Sequence, residues 1–218
     1  MIEKTKGIVL HQLKYTDSGI VAWLYTRKFG RQSFMIKGVR NRKSGRHAAF
    51  FQPMSILDMV VYYKESRGMH TLKEFSVSYT PSDIYFNVKK SSVAIFLGEV
   101  LASVLREETP NEELFDFIER SVIYFDSCEE GYANFHIAFL SGLSSYLGFE
   151  PGMRASGAGR YFDMMNGSFV SLPPDHGNYA TEEVSEILAA FFAAFKDNDA
   201  CNRSFPDLEG QFYQAMNS

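Results

Sequence analysis

Hydrophobic and polar positions alternate in short runs over the first eighty residues, and turn chemistry separates the runs, which is the pattern of half-buried β-strands. Five strands are predicted. The first runs from Thr5 to Tyr15 and ends at Thr16-Asp17-Ser18-Gly19, the second from Ile20 to Thr26 and ends at Lys28-Phe29-Gly30, and the third from Arg31 to Gly38. A long polar loop, Val39 to Ala48, precedes a fourth strand from Gln52 to Lys64, and Ser66-Arg67-Gly68 turns the chain into a fifth from His70 to Tyr79.

After Thr80-Pro81-Ser82 the period changes. Val93, Phe96, Leu97, Val100, Leu101 and Val104 recur at the spacing of one helical stripe. Thr109-Pro110-Asn111-Glu112 reads as a capping box with proline in the first helical position, opening a second helix to about Ser127 with Leu114, Ile118, Val122 and Phe125 inward. A third helix is expected from Tyr132 to Leu147, with Phe135, Phe139, Leu140, Leu143 and Leu147 inward and Gly148 stopping it in a left-handed conformation. The glycine-rich stretch Gly152 to Gly159 then reads as a loop, and Tyr161 to Leu172 as a hairpin about Asn166-Gly167. Thr181 caps a last helix whose inward side is Val184, Ile187, Leu188, Phe191, Phe192 and Phe195. The predicted fold class is α+β multidomain. A five-stranded OB-fold β-barrel occupies residues 1–80, with an SH3-like barrel as the alternative, and an α-helical domain occupies 81–218, with a short hairpin and loop insertion at about 149–180.

Composition narrows the function. The 218 residues are 45% hydrophobic and 22% charged, as in an ordinary globular chain, and the most apolar run, Ile187 to Phe195, is too short to span a membrane. Met1-Ile-Glu-Lys-Thr-Lys leads into no signal-like apolar core, so a cytoplasmic protein without a membrane partner is expected. Cys128 and Cys201 form neither a disulfide framework nor a C-x-x-C pair. The five histidines lack zinc-hydrolase spacing, no phosphate-loop or nucleophile-elbow motif is present, and the paired glutamates at 107–108, 112–113 and 129–130 read as solvated helix edges. No catalytic residue is identified.

Charge is divided unevenly. Residues 1–80 hold 14 Lys and Arg against 5 Asp and Glu, whereas residues 81–218 hold 8 against 21, so the net charge of −4 conceals a basic and an acidic half. A basic segment attracts polyanions. The cations concentrate in Arg27-Lys28-Phe29-Gly30-Arg31 and in Lys37 to His47, where five basic residues and a histidine fall within eleven positions. Arg40, Arg42 and Arg46 supply forked donors for phosphate oxygens, and Lys37 and Lys43 supply mobile point charges on a backbone loosened by Gly38, Ser44 and Gly45. Tyr15, Trp23, Tyr25, Phe29 and Phe34 are the candidate rings for base stacking, in competition with the needs of a small barrel core.

At these residues the chain resembles the RecO family of bacterial recombination mediators. The resemblance rests on Lys4-Thr5-Lys6-Gly7-Ile8-Val9-Leu10, Tyr15-Thr16-Asp17-Ser18, Tyr25-Thr26, Phe29-Gly30, Lys37-Gly38-Val39-Arg40 with Lys43-Ser44, and Gln52-Pro53, and extends more loosely to Gly148-Phe149-Glu150-Pro151. It implies an N-terminal OB domain and a helical domain, acting without catalytic turnover to bind single- and double-stranded DNA and anneal strands. It further implies partners: RecR, the tail of the single-stranded DNA-binding protein SSB, and, indirectly, RecA. The family's basic surface maps onto Lys37, Arg40 and Lys43, to which Arg42, Arg46, Arg31 and Arg27 are added on charge alone. Many members carry a four-cysteine zinc module, but Phe149 to Leu172 contains no cysteine, so no zinc or other cofactor is expected. Packing of Tyr161, Phe162, Met164, Met165 and Phe169 is expected to replace it, and Cys201 to Ser218 reads as shorter and less helical than the family's last helix. Arg106 and Arg120 are the candidate cations for the acidic SSB tail. The alternative function is a protein-interaction scaffold whose basic face binds an acidic partner; a hydrolase or transferase with dispersed carboxylates ranks last.

Overall fold

The computed structural model describes residues 1–16, 19–37, 47–105, 109–129, 132–148 and 159–196. In it the alternation of the first eighty residues is realised as β1 (Ile2–Lys14), β2 (Ile20–Thr26), β3 (Gly30–Ile36), β4 (Ile56–Tyr62) and β5 (His70–Tyr79). The strands follow the order β1-β2-β3-β5-β4, and β4 pairs again with β1 to close a barrel. All pairings are antiparallel except the closing β3–β5 seam, which is parallel and consists of Phe34–His70 and Met35–Thr71. This is the OB topology. The fourth strand starts at Ile56 rather than Gln52, because a 3-10 turn (His47–Phe51) drives Phe51 into the barrel and Pro53 has no N–H to give to a ladder.

Burial follows the period of two. Ile20, Ala22 and Leu24 of β2 and Phe34 and Ile36 of β3 point inward, and meet Val9, Phe51, Leu57, Met59 and Val61. One end of the barrel is closed by stacked rings: Phe29 lies 3.9 Å from Tyr63, and Tyr63 lies 4.7 Å from His70. The His70 imidazole is also bonded to Gln32, at 3.0 Å.

The change from strand to helix falls at Pro81, but the first compact unit extends to Cys128 and includes α1 (Asp83–Phe86), α2 (Val88–Val104) and α3 (Glu112–Ser127). Asn87 caps α2 by accepting from the Lys89 and Lys90 N–H groups. The inward face of α2 is Ala94, Leu97, Gly98 and Leu101, not the whole expected stripe; Phe96 and Val104 are exposed. Gly98 explains the rotation, since a Cβ there would lie 3.0 Å from the Leu10 carbonyl oxygen, so the small residues must face β1. Helix α3 begins at Glu112 with Asn111 as its cap, bonded to the Leu114 N–H at 2.9 Å, which places Pro110 outside the helix rather than in its first position. Its four expected inward residues are all buried.

One carboxylate joins these elements. Asp126, near the end of α3, accepts from the Tyr79 hydroxyl at 2.7 Å, the Ser82 N–H at 3.1 Å and the Ile84 N–H at 2.8 Å. Burial, then the bond to Asp126, pushes the Tyr79 hydroxyl above its ordinary pKa. Beside it the buried Lys90 ammonium pairs with Asp83 at 2.6 Å and donates to the Asp126 carbonyl at 3.0 Å and to that of Cys128, closing the C-terminus of α3.

The second unit, from Glu129, contains α4 (Phe135–Tyr146), preceded by a 3-10 turn (Tyr132–Asn134) and ended by Gly148 at φ 72°, as its sequence position predicts. Strands β6 (Tyr161–Asp163), β7 (Ser168–Val170) and β8 (Tyr179–Ala180) form a small sheet in the order β7-β6-β8, followed by α5 (Glu182–Lys196). The β6–β7 hairpin has a four-residue turn, not a two-residue one, because the Asp163 side chain organises it. Its carboxylate accepts from the Met165 and Asn166 N–H groups and the Asn166 side-chain amide at 2.9, 3.1 and 2.7 Å. His176 accepts the Asn178 N–H at Nδ1, which leaves Nε2 to donate to Asp163 at 3.2 Å. Burial pushes the Asp163 carboxyl up, but the bonds from Asn166, Met165 and His176 outweigh it and hold the pKa below the ordinary value.

Phe162 packs on Phe169 and on Phe192, with ring centroids 5.0 and 6.0 Å apart, whereas Met164 and Met165 are exposed and take no part in the expected staple. Val184 and Ile187 are also exposed; Ser185 faces inward instead, accepting the Phe162 N–H at 2.8 Å and donating to the Ala180 carbonyl. A sheet this small cannot hide its backbone groups, so a hydroxyl takes the inward place.

Asp126→Ala leaves two backbone N–H groups and a phenol without their acceptor in a partly buried joint, and denaturant unfolding is expected to show a loss of about 3 kcal/mol, with Asp126→Asn losing less because one acceptor oxygen remains. For Asp163, a folded pKa below the unfolded one means that its contribution is full above the unfolded value and is lost as pH falls through the folded one. The Tm penalty of Asp163→Ala is therefore expected to be full at neutral pH and to shrink below about pH 4.

Candidate nucleic-acid interface

The predicted cations separate into two groups. Arg27, in the β2–β3 turn, is bonded to Glu112 at 3.1 Å and forks onto both oxygens of Asp116 at 2.9 and 3.1 Å. The Glu112 bond raises the guanidinium pKa further; burial opposes it, and the Asp116 and Glu119 charges add to it. Arg31 donates to the Ala102 and Leu105 carbonyls at 2.7 and 3.4 Å and so caps the C-terminal end of α2. Lys6, not singled out from sequence, pairs with Glu119 at 2.8 Å. These three cations fasten the barrel to α2 and α3. Between Arg27 and Lys6 the Tyr25 ring stacks on Phe115 and its hydroxyl bonds to the Asn111 carbonyl; burial pushes its pKa up to about 12, against that bond.

Lys37 is exposed immediately after β3, where the predicted basic loop begins. Arg40, Arg42, Lys43 and Arg46 lie outside the described residues, as does Arg106; Arg120 donates to the Asp116 carbonyl on its own helix at 3.2 Å.

The five candidate rings also divide. Tyr25 and Phe34 are buried and Phe29 belongs to the stack that closes the barrel end, whereas Tyr15 is exposed at the end of β1 and Trp23 is half-buried on the outer face. Trp23 alternates with the inward Ala22 and Leu24, and its ring stacks on that of His11 in β1 at 5.6 Å. Across the sheet from Trp23 is Ser33 of β3, whose hydroxyl donates to the Gly68 carbonyl in the β4–β5 loop at 2.6 Å. Arg67 and Lys64 of that loop are exposed. Their proximity to the β2–β3 face depends on strand order, and nothing in the local sequence signals it.

A concavity of about 550 Å³ is lined by Lys4, Lys6, Arg27, Lys28, Asp58 and Glu74 among others. Its cations are largely committed: Lys6 and Arg27 to α3, and Lys28 to Glu3 at 3.6 Å. Asp58 and Glu74 in the same wall offset part of the remaining positive charge.

The family-implied zinc finds no matching donors in the β6–β7 region. One carboxylate and one imidazole, Asp163 and His176, already bond to each other and to the turn. Among the described residues no group of three or more His, Cys, Asp or Glu side chains is placed to hold a metal. Likewise, no helix among the described residues is long and apolar enough to cross a membrane.

Comparison with known proteins agrees in both parts of the chain. Residues 1–80 match the family model described as recombination protein O N terminal, and residues 86–197 match the one described as recombination protein O C terminal. The chain is similar to the DNA repair protein RecO of Phocaeicola vulgatus, with 39% identity over 188 residues, covering 86% of this chain and 78% of the relative. It is 38% identical over 191 residues to that of Bacteroides fragilis, with the same coverage, and 32% identical over 202 residues to that of Porphyromonas gingivalis, covering 91% and 82%.

Proposed function

The chain belongs to the RecO family of DNA repair proteins, and from that premise we propose that it is a cytoplasmic recombination mediator that binds single- and double-stranded DNA and anneals complementary strands without catalytic turnover. The observation that carries this reading is the unequal charge of the two halves, combined with an exposed Lys37 at the point where the basic run leaves the barrel. In this reading residues 1–80 bind DNA and 81–218 serve protein partners. Lys37, Arg40, Arg42, Lys43 and Arg46 contact phosphates, while Arg27 and Arg31 support the site by holding the barrel against α2 and α3.

Annealing follows from electrostatics. Two DNA strands repel each other, and a loop of closely spaced cations that displaces counterions from one strand lowers the cost of bringing up its complement. RecR and the SSB tail are the proposed partners, with Arg106 and Arg120 offering charge to the acidic tail, and RecA is served indirectly through exposed single-stranded DNA. The protein is proposed to work without zinc, with the Asp163 bonds and the Phe162–Phe169 contact holding the small sheet together.

Fluorescence anisotropy of a labelled single-stranded oligonucleotide against salt tests the DNA site. Log affinity is expected to fall linearly with log salt, and the Arg40, Arg42, Lys43 and Arg46 to alanine variant is expected to lose about three units of slope. A folded wild type that binds no DNA would favour the scaffold reading, in which the basic face meets an acidic protein. Metal analysis of the purified protein is expected to find no stoichiometric zinc.

A further inference from the structure

We propose that Trp23 is a base-stacking platform on the outer face of the barrel, serving single-stranded nucleic acid that also contacts Arg67 of the β4–β5 loop. The inference rests on the DNA-binding reading and adds to it which strand form is recognised, and by which residues outside the basic loop.

The argument starts from the alternation of β2. Inward residues Ile20, Ala22 and Leu24 fill the core, so Val21, Trp23 and Tyr25 face outward. Tyr25 is covered, stacked on Phe115 of α3. Trp23, two residues along, keeps part of its surface in solvent and lies against His11 with ring centroids 5.6 Å apart and planes inclined by 27°. His11 is itself exposed, so it supports the indole without burying it. A half-buried indole braced by a second ring is pre-oriented, and a base can stack on it with little loss of side-chain freedom.

The neighbouring groups fit a nucleic-acid strand. Trp23 pairs in register with Ser33, and Ser33 holds Gly68, so the β4–β5 loop is tied to the row that runs through His11 and Trp23. Arg67 precedes Gly68 and is exposed. Immediately after β3, Lys37 is exposed and shares the parity of Ser33 and Met35. An aromatic surface near exposed cations matches a chain of phosphates whose bases can splay, and in the β4–β5 loop Lys64 and Arg67 outnumber the exposed Glu65. A duplex keeps its bases stacked inside, so it can use Lys37 and Arg67 but not the indole.

The chain has one tryptophan, so its emission reports on this site alone. Oligothymidine is expected to quench tryptophan emission of the intact protein on binding, and a duplex of equal charge is expected not to. Trp23→Ala is expected to weaken oligothymidine binding about tenfold and leave duplex binding unchanged, while Trp23→Phe keeps most of the affinity. Arg67→Ala is expected to lower the salt slope for the single strand by about one. Circular dichroism and Tm check the fold of each variant, and if Trp23→Ala does not fold, Trp23→Phe and the quenching of wild type carry the test. Oligothymidine that binds wild type without quenching, together with unchanged affinity in a folded Trp23→Ala or, failing that, wild-type affinity in Trp23→Phe, would overturn the platform and leave the DNA-binding reading standing. A folded wild type that binds neither form of DNA overturns both.

Discussion

The Asp126 carboxylate is the constraint on which the first unit depends. Strand β5 ends at Tyr79, the chain turns at Pro81–Ser82, and α1 begins at Asp83, so three segments meet within a few residues and bring orphan polar groups with them. One side chain from the far end of α3 satisfies a phenol and two backbone N–H groups at once. Lys90, buried beside it, balances Asp83 and caps the last carbonyls of α3. Because Asp126 and Lys90 are buried and must keep their partners, they specify one mutual arrangement of β5, α1, α2 and α3.

That arrangement governs where positive charge remains available. The barrel carries more cations than its own few carboxylates can neutralise, and α3 presents Glu112, Asp116 and Glu119 to it. Lys6 and Arg27 are consumed there, and Arg31 is consumed by the C-terminus of α2. The acidic surplus of the helical region is therefore partly a docking surface for its own barrel. Lys37, Lys64 and Arg67 are not drawn into these contacts with α2 and α3 and keep their exposure.

The second unit meets a different problem with similar means. Three short strands cannot bury enough apolar surface to hold together by packing alone, and residues 149–180 contain no cysteine for a metal clasp. Asp163 acts as the anchor, collecting N–H donors from the turn that follows it and from His176, while Ser185 ties α5 to β6. Hydrogen bonds to a charged acceptor are the stronger kind, which suits a sheet with so little core.

Local periodicity determined the strands, the helix at 112–127 with its apolar face, and the left-handed stop at Gly148, because each depends on neighbours within a few positions. The motif order around Lys37-Gly38-Val39-Arg40 identified the family. Tertiary structure decided what periodicity leaves degenerate. An apolar helix such as α2 can turn more than one face inward, and the close approach of Gly98 to Leu10 selected Ala94, Leu97 and Leu101 over Phe96 and Val104. Whether an arginine is an open phosphate ligand or an internal clamp depends on a carboxylate some 85 residues away in the case of Arg27, and no local pattern records such a pairing. Likewise five rings read alike in sequence, and only the closed barrel separated the outward Trp23 from the buried Phe34, because strand pairing determines which face each one takes.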